Sequence, residues 1–457
     1  MHNPSKQRPS EQRRLLLFTN KLGYQTRSFE EAAQKHATEI IYVTDRCHQL
    51  EDPWGDRAIA VHFESAQSAA ANVVEALNGK TVDGILALGD SPSVAAAYVA
   101  RELGISYNHP ASVEACRSKL RMREVFRETG LATPWFRAIN LDPLPEPALL
   151  GISYPCVLKP LSLSASRGVI RANNRDEFIS AAQRIRKLLE SPEIRATREA
   201  HLDQILVEGY IPGREVAVEG LLTDGVLKIL AIFDKPDPLE GPYFEETIYV
   251  TPSDLTESRQ LAIQKCAQES ARATGLTRGP VHAEFRIHCE GADDQVWPLE
   301  IAARPIGGLC ARALRFVEND DETTEDQNAL QQASIGLEEL LLLHSLDLPV
   351  KTRVRERMAA GVMMIPVPSS GILDSVEGQE AARELAGITE LLITARLHDY
   401  IEAWPEGASY LGFLFAAAET PREVEQMLRA AHAKLRFTMT PRLPVQHPAH
   451  HASGRSA

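Results

Sequence analysis

Within the first hundred residues, short apolar runs alternate with stretches of helical pattern, and few folds accept that order. Leu15-Leu16-Leu17-Phe18 and Ile40-Ile41-Tyr42-Val43 each end at polar or turn residues, and Gly84-Ile85-Leu86-Ala87-Leu88-Gly89 is a third run. Apolar runs without alternation are the mark of strands buried on both faces, because helices cover each side of such a sheet. After the third run, Asp90-Ser91-Pro92 opens a small-residue helix directed toward Gly104. Ser91 is expected to cap this helix, Pro92 to sit in its first turn and Gly104 to end it. The alternation predicts an open, mostly parallel sheet over 15–107. It contains no GxGxxG, so no dinucleotide site is expected there.

The 457 residues suggest about three domains. Pro143, Pro145 and Pro147 mark a linker near 140–150. The segment 151–310 is richer in strands, expected at 155–159, 205–208, 215–222, 226–233, 281–288 and 296–303. Residues 318–328 read as a solvated acidic loop, and Leu337 to Leu346 as a core helix, since it has almost no polar face. A third region follows Arg353, with strands near 360–366 and 387–395. It ends in a helix opened by Thr420-Pro421-Arg422-Glu423, a capping box around a first-turn proline. The Pro- and His-rich end from Pro441, including His447, His450 and His451, is expected to be disordered.

Apolar residues at 44% and charged residues at 24% describe an ordinary globular chain. The net charge of −13 gives no general attraction for nucleic acid or anionic lipid. No uncharged apolar window long enough to cross a membrane occurs, and Leu15–Phe18 is too short a run for a signal peptide. The six cysteines form neither a CxxC pair nor a disulfide framework. A cytoplasmic location, with neither nucleic acid nor membrane as partner, is the expectation.

Four stretches concentrate the chemistry. In Tyr154-Pro155-Cys156-Val157-Leu158-Lys159-Pro160 a lysine ends a buried strand, and a desolvated ammonium needs an anion. The loop Ser162-Leu163-Ser164-Ala165-Ser166-Arg167-Gly168-Val169 follows, its small residues able to turn N–H groups and hydroxyls toward phosphate oxygens. In the second stretch, a strand ending at Glu208 crosses Gly209-Tyr210-Ile211-Pro212-Gly213 to a strand beginning at Glu215; such a linker can bond a base edge while a carboxylate grips ribose. In the third, Val281-His282-Ala283-Glu284-Phe285-Arg286, a period of two puts His282, Glu284 and Arg286 on one face. The fourth, Trp297 to Gly308, carries Glu300 and Arg304. Glu284 and Glu300 on adjacent strands suit Mg²⁺, which takes a few carboxylates plus phosphate oxygens, and Arg304 suits developing negative charge. Each stretch alone has an ordinary structural explanation, such as a snorkelling lysine, a surface loop or a salt-bridged strand face. Their order in one chain does not.

These residues resemble the ATP-grasp superfamily of carboxylate–amine ligases over roughly 108–312, and within it the L-amino acid ligases that make dipeptides. The narrower likeness rests on His282-x-Glu284 with Glu300-x-x-x-Arg304 and Gly307-Gly308, and on Gly361, Gly378, Glu380 and Tyr410-Leu411-Gly412-Phe413 near the C-terminus. The resemblance implies a three-domain α/β and α+β architecture: a parallel-sheet domain at 1–107, an ATP-grasp domain at 108–345, a small C-terminal domain at 346–440 and a tail at 441–457. It implies ATP contacts from Lys119, Lys159, Ser164, Ser166, Gly168, Glu208, Tyr210, Ile211, Glu215 and Lys235, and Mg²⁺ or Mn²⁺ on Glu284 and Glu300. Arg304 would steady the tetrahedral intermediate. His282 would orient it, carry a proton, or serve the structure only. Glu246 would orient the amine or belong to a solvated loop. Gly307, Gly308 and Cys310 would line an amino-acid pocket, and Arg312 would pair with a substrate carboxylate or with the acidic loop after 318. Many relatives carry Asn two residues past the second metal acid, where this chain has Ala302. The implied partners are a small carboxylate and an amine, and the implied assembly a homodimer. A bicarbonate-using carboxylase and a non-catalytic nucleotide sensor are the alternative readings.

Overall fold

A computed structural model describes residues 12–20, 24–45, 57–141, 151–290, 293–318, 334–350 and 353–441. The Pro143–Pro147 linker, most of the acidic loop and the His-rich tail lie outside them.

The first apolar runs form a parallel sheet of order β3-β2-β1-β4, with β1 (Arg13–Thr19), β2 (Thr38–Thr44), β3 (Ala58–Ala60) and β4 (Gly84–Leu88). Leu15 to Phe18 are fully buried, as strands covered on both faces must be. Around them lie α1 (Tyr24–Lys35), α2 (Ala66–Leu77) and α3 (Asp90–Leu103). The expected cap of α3 is corrected. Gly89, at φ 118, is the N-cap residue and makes no side-chain cap bond, so the helix starts two residues earlier than a Ser91 cap would allow. Ser91 falls inside the first turn, and its hydroxyl donates to Glu199 at 3.2 Å. Gly104 ends the helix in the left-handed conformation, as expected. Two further helices, α4 (Pro110–Arg117) and α5 (Lys119–Glu128), lead on from this domain.

A second, four-stranded sheet has the order β5-β8-β6-β7, from β5 (Phe136–Asn140), β6 (Cys156–Pro160), β7 (Ile170–Ala172) and β8 (Gln204–Gly209). Its core is closed by Phe178, Ala181, Ile185 and Leu188 of α6 (Arg175–Leu189), with short α7 (Pro192–Ala196) behind. Facing it is an eight-stranded antiparallel sheet. Its central-region strands are β9 (Arg214–Thr223), β10 (Val226–Asp234), β11 (Ile248–Thr251), β12 (Gly279–Glu290) and β13 (Asp293–Ala302), backed by α8 (Glu257–Thr274).

Three short strands, β14 (Arg315–Glu318), β15 (Ile335–Gly336) and β16 (Arg353–Arg355), make a separate small sheet, and α9 (Leu337–Ser345) is the apolar helix read from the sequence. Leu337, Leu340, Leu341 and Leu342 bury against Leu15, Leu17 and Leu86. Gly84 permits that approach, since a Cβ there would stand 2.6 Å from the Ser345 carbonyl oxygen. The C-terminal region supplies β17 (Ala359–Ile365), β18 (Gly371–Glu377), β19 (Ile388–Ile393), β20 (Tyr400–Ile401), β21 (Gly412–Ala418) and β22 (Arg436–Thr440), with α10 (Gln379–Arg383) and α11 (Pro421–His432). The capping box of α11 forms as expected. The eight-stranded sheet runs β13-β12-β9-β10-β11-β17-β21-β19, so it continues without a break from the central region into the C-terminal one.

Candidate active site

The acid pair is set by strand register. Glu284 of β12 pairs directly with Glu300 of β13, and a bulge follows, so that Phe285 pairs with Pro298. Directly opposed residues of an antiparallel pair point to the same side, so both carboxylates project from one face. They line a cleft between the two central sheets, together with Lys119, Lys159, Ser164, Ser166, Glu208, Tyr210, Ile211 and Glu215.

Lys159 ends β6 with Nζ 2.5 Å from Glu208 Oε1. The other claimant on Glu208 is Arg123, 1% exposed, whose Nε and Nη2 donate to the carboxylate at 2.7 and 3.2 Å while Nη1 donates to the Pro298 carbonyl at 3.0 Å. Burial alone would push the Glu208 carboxyl up, but the two cations outweigh it and hold it at about 2. Lys119 opens α5 after the Ser118 N-cap and donates to the Leu163 carbonyl, tying the helix to the small-residue loop. Burial lowers its pKa despite Glu300 and Asp90 nearby. In that loop Ala165, Ser166 and Gly168 are left-handed, at φ 55, 54 and 72. The N–H groups of Arg167 and Val169 are bonded within the loop, to the Ser164 and Ser166 carbonyls at 3.3 and 3.1 Å. Gly168 lies beyond the cleft wall, where its N–H donates to the Pro405 carbonyl at 2.8 Å. The Ser162 hydroxyl is buried without a partner.

Lys235, just past β10, does not line the cleft. Its ammonium lies 2.7 Å from Glu215 Oε1, 2.6 Å from Glu246 Oε1 and 3.0 Å from Glu284 Oε1. Arg286 holds the other oxygen of Glu215 at 2.9 Å, and the Tyr249 hydroxyl donates to Glu246 Oε2 at 2.6 Å. Both oxygens of Glu215, the acid expected at ribose, are thus engaged inside the protein. Burial and the neighbouring Glu284 raise the Glu246 carboxyl to about 7 against the pull of Lys235.

His282 and Arg304 stand beside this cluster. The His282 ring bonds through Nδ1 to Glu219, which is 1% exposed and also accepts from the Ile306 N–H at 3.2 Å. Burial would lower the imidazole pKa, but Glu219 overcomes it and lifts it to about 9. Because that value exceeds the ordinary 6.5, the stability it contributes is complete below pH 6.5 and lost as pH rises through about 9. The thermal midpoint is expected to fall across that window, and the His282→Asn variant to flatten the slope in the same scan; an unchanged slope would remove the ion pair from the account. Arg304 donates from Nε to Asp90 Oδ1 at 2.5 Å, so the first residue of α3 anchors an arginine 214 positions away.

The remaining expected positions lie apart from the cleft lining. Gly307 and Gly308 are exposed, and a Cβ on Gly308 would stand 3.4 Å from Phe413. Cys310 is 1% exposed in the core against Met364, and burial pushes its thiol up. Arg312 pairs with both oxygens of Glu390 at 2.7 Å, a partner the sequence reading did not consider. That reading also missed Arg123, Asp90 and Glu219 in these roles. Only Glu219 carried a signal, as an acid within the apolar run Val216-Ala217-Val218-Glu219-Gly220-Leu221.

The class that this fold and cleft define is ATP-grasp: a model of the ATP-grasp domain matches residues 152–313. A model described as L-amino acid ligase C-terminal domain 2 matches 363–440, and the chain is an ATP-grasp ligase of the kind the L-amino acid ligases represent. The ATP-grasp enzyme fsqD of Aspergillus fumigatus is 25% identical over 318 residues, covering 61% of this chain and 53% of that protein. Alanine–anticapsin ligase of Bacillus subtilis is 27% identical over 198 residues, covering 40% of this chain and 41% of that protein. The chain thus spans about half the length of these two curated relatives. The crystal structure of L-amino acid ligase from Bacillus licheniformis shares the fold, with a TM-score of 0.75 and 23% identity over 94% of this chain and 100% of that one. Among the described residues no helix is long and apolar enough to cross a membrane.

Proposed function

We propose that this chain uses ATP to activate the carboxylate of an amino acid or similar acid and joins it to an amine, releasing ADP and phosphate. The observation that carries the reading is the direct pairing of Glu284 with Glu300 in one cleft with Lys119 and Lys159. The cleft suits a nucleotide: two lysines flank it, and a buried hydroxyl, Ser162, stands in its loop without a partner. The opposed carboxylates suit Mg²⁺, which when bound neutralises phosphate charge.

In this reading Lys119, Lys159 and the loop from Ser164 to Gly168 hold the phosphates, while Glu208, Tyr210 and Ile211 flank the base. A substrate carboxylate oxygen attacks the terminal phosphorus, the bond to the bridging oxygen breaks, and ADP departs. The amine then attacks the acyl carbon, loses a proton and expels phosphate. Arg304, fixed by Asp90, offers its remaining guanidinium N–H groups to the oxyanion of that addition. In the same reading His282 orients the intermediate or carries its proton, and Glu246 orients the amine. Catalysis is mainly positioning and charge neutralisation. The division into domains at 1–107, 108–345 and 346–440 belongs to the same proposal.

The test is phosphate release with ATP, Mg²⁺ and pools of amino acids, the products identified by mass. Release that depends on amino acids, with a condensed product, supports the ligase; release that depends only on bicarbonate overturns it in favour of a carboxylase.

A further inference from the structure

Three glutamates from separate parts of the central region, Glu215 of β9, Glu246 before β11 and Glu284 of β12, converge so that one oxygen of each lies within 4.8 Å of the others. Three carboxylates at that spacing are a donor set for a divalent cation. Here an ammonium stands among them, with Lys235 Nζ at 2.7, 2.6 and 3.0 Å from the three oxygens. Lys235 is 4% exposed. Mg²⁺ sits about 2.0–2.1 Å from its oxygens, so ion and ammonium cannot share these three atoms. Glu284 belongs both to this cage and to the pair with Glu300. Its Oε1 is the atom bonded to Lys235, which leaves Oε2 for an ion shared with Glu300. The next position along the same face of β13 is Ala302, opposite His282, and a methyl group offers no ligand atom.

We propose that Lys235 is a built-in cation filling what would otherwise be a second divalent-metal site, so that the nucleotide is bound with a single divalent ion. The inference rests on the ATP-grasp reading of the cleft. Two consequences follow from the geometry. The lysine holds Glu215, Glu246 and Glu284 together without nucleotide, which keeps one oxygen of Glu284 fixed before the nucleotide arrives. Removing its charge while keeping its bulk opens a three-carboxylate cage that a divalent ion can enter.

The experiment counts bound Mn²⁺ by electron paramagnetic resonance on the full chain, with and without saturating non-hydrolysable ATP analogue. With analogue, the wild type is expected to hold one Mn²⁺ per chain and the Lys235→Met variant two, while Lys235→Arg stays at one. Without analogue, Lys235→Met is expected to gain one Mn²⁺ over the wild type. Two ions per wild-type chain with analogue would overturn the proposal, whatever the variants do, because the lysine would then not limit the nucleotide to one ion. A Lys235→Met chain that folds and gains no ion would overturn it as well. If the analogue fails to bind the wild type, the ATP-grasp reading of the cleft fails, and the analogue-free comparison still decides whether Lys235 keeps a metal out of the three glutamates.

Discussion

Replacing Glu300 with glutamine is expected to lower ADP release by about 10³-fold, equivalent to ~4 kcal/mol of barrier. The substitution keeps the shape of the side chain and removes the charge that, opposite Glu284, makes the cleft suit a divalent ion. The amide still accepts a hydrogen bond, so the strand pairing has no reason to change. Steady-state ADP release, with Mn²⁺ affinity measured alongside, checks this. Weakened metal binding should accompany the lost rate while the thermal midpoint moves little. A rate within tenfold of the wild type would mean that Glu300 does not hold the ion.

Replacing Arg123 with methionine is expected to destabilise the chain by about 3–5 kcal/mol, the usual consequence of stranding one partner of a buried ion pair. Arg123 and Glu208 are both nearly inaccessible, and the arginine also satisfies the Pro298 carbonyl beside the β12–β13 bulge. Glu208 would keep Lys159 alone. A single lysine cannot both neutralise that carboxylate and reach toward a phosphate, so nucleotide affinity should fall with stability. Urea unfolding gives the first quantity and nucleotide titration the second. The double variant Arg123→Met, Glu208→Gln should regain part of the lost stability, because no charge is then left unpaired. A single variant as stable as the wild type would show that Lys159 suffices.

The strands that carry the candidate site, β6, β8, β9, β12 and β13, could be read directly from their apolar runs and turn residues, as could β1, β2, β4 and β10, whereas the short β3, β5, β7 and β11 were not foreseen. The capping box of α11 could be read for the same reason: cap, proline and acid are local. Ser91 was misread because a serine near a helix start looks like a cap, whereas Gly89 reaches a backbone conformation that moves the start forward. The pairing of Glu284 with Glu300 followed from their residue types, but its register depends on the bulge at Pro298, which no periodicity reveals. Arg304 was singled out for its charge, and Lys235 by the family resemblance alone. Their partners were not, since Glu215, Glu246, Glu284 and Asp90 meet them only after distant segments fold together. Arg123 gave no warning at all: on paper it is one more charge in the charged helical run Lys119-Leu120-Arg121-Met122-Arg123-Glu124 that continues to Glu128.

The uninterrupted run of hydrogen-bonded strands from β13 to β19 bears on how this enzyme class can be re-engineered. Trading the C-terminal portion for that of a relative, in order to import a different selectivity, would be no clean transplant. The graft would have to supply a new neighbour for β11 along its whole length and a carbonyl where Pro405 now receives the amide of Gly168. A donor segment that met the first demand and missed the second would leave the loop from Ser164 to Gly168 unmoored, and under the proposed function its cost would surface as poorer nucleotide handling instead of altered substrate choice.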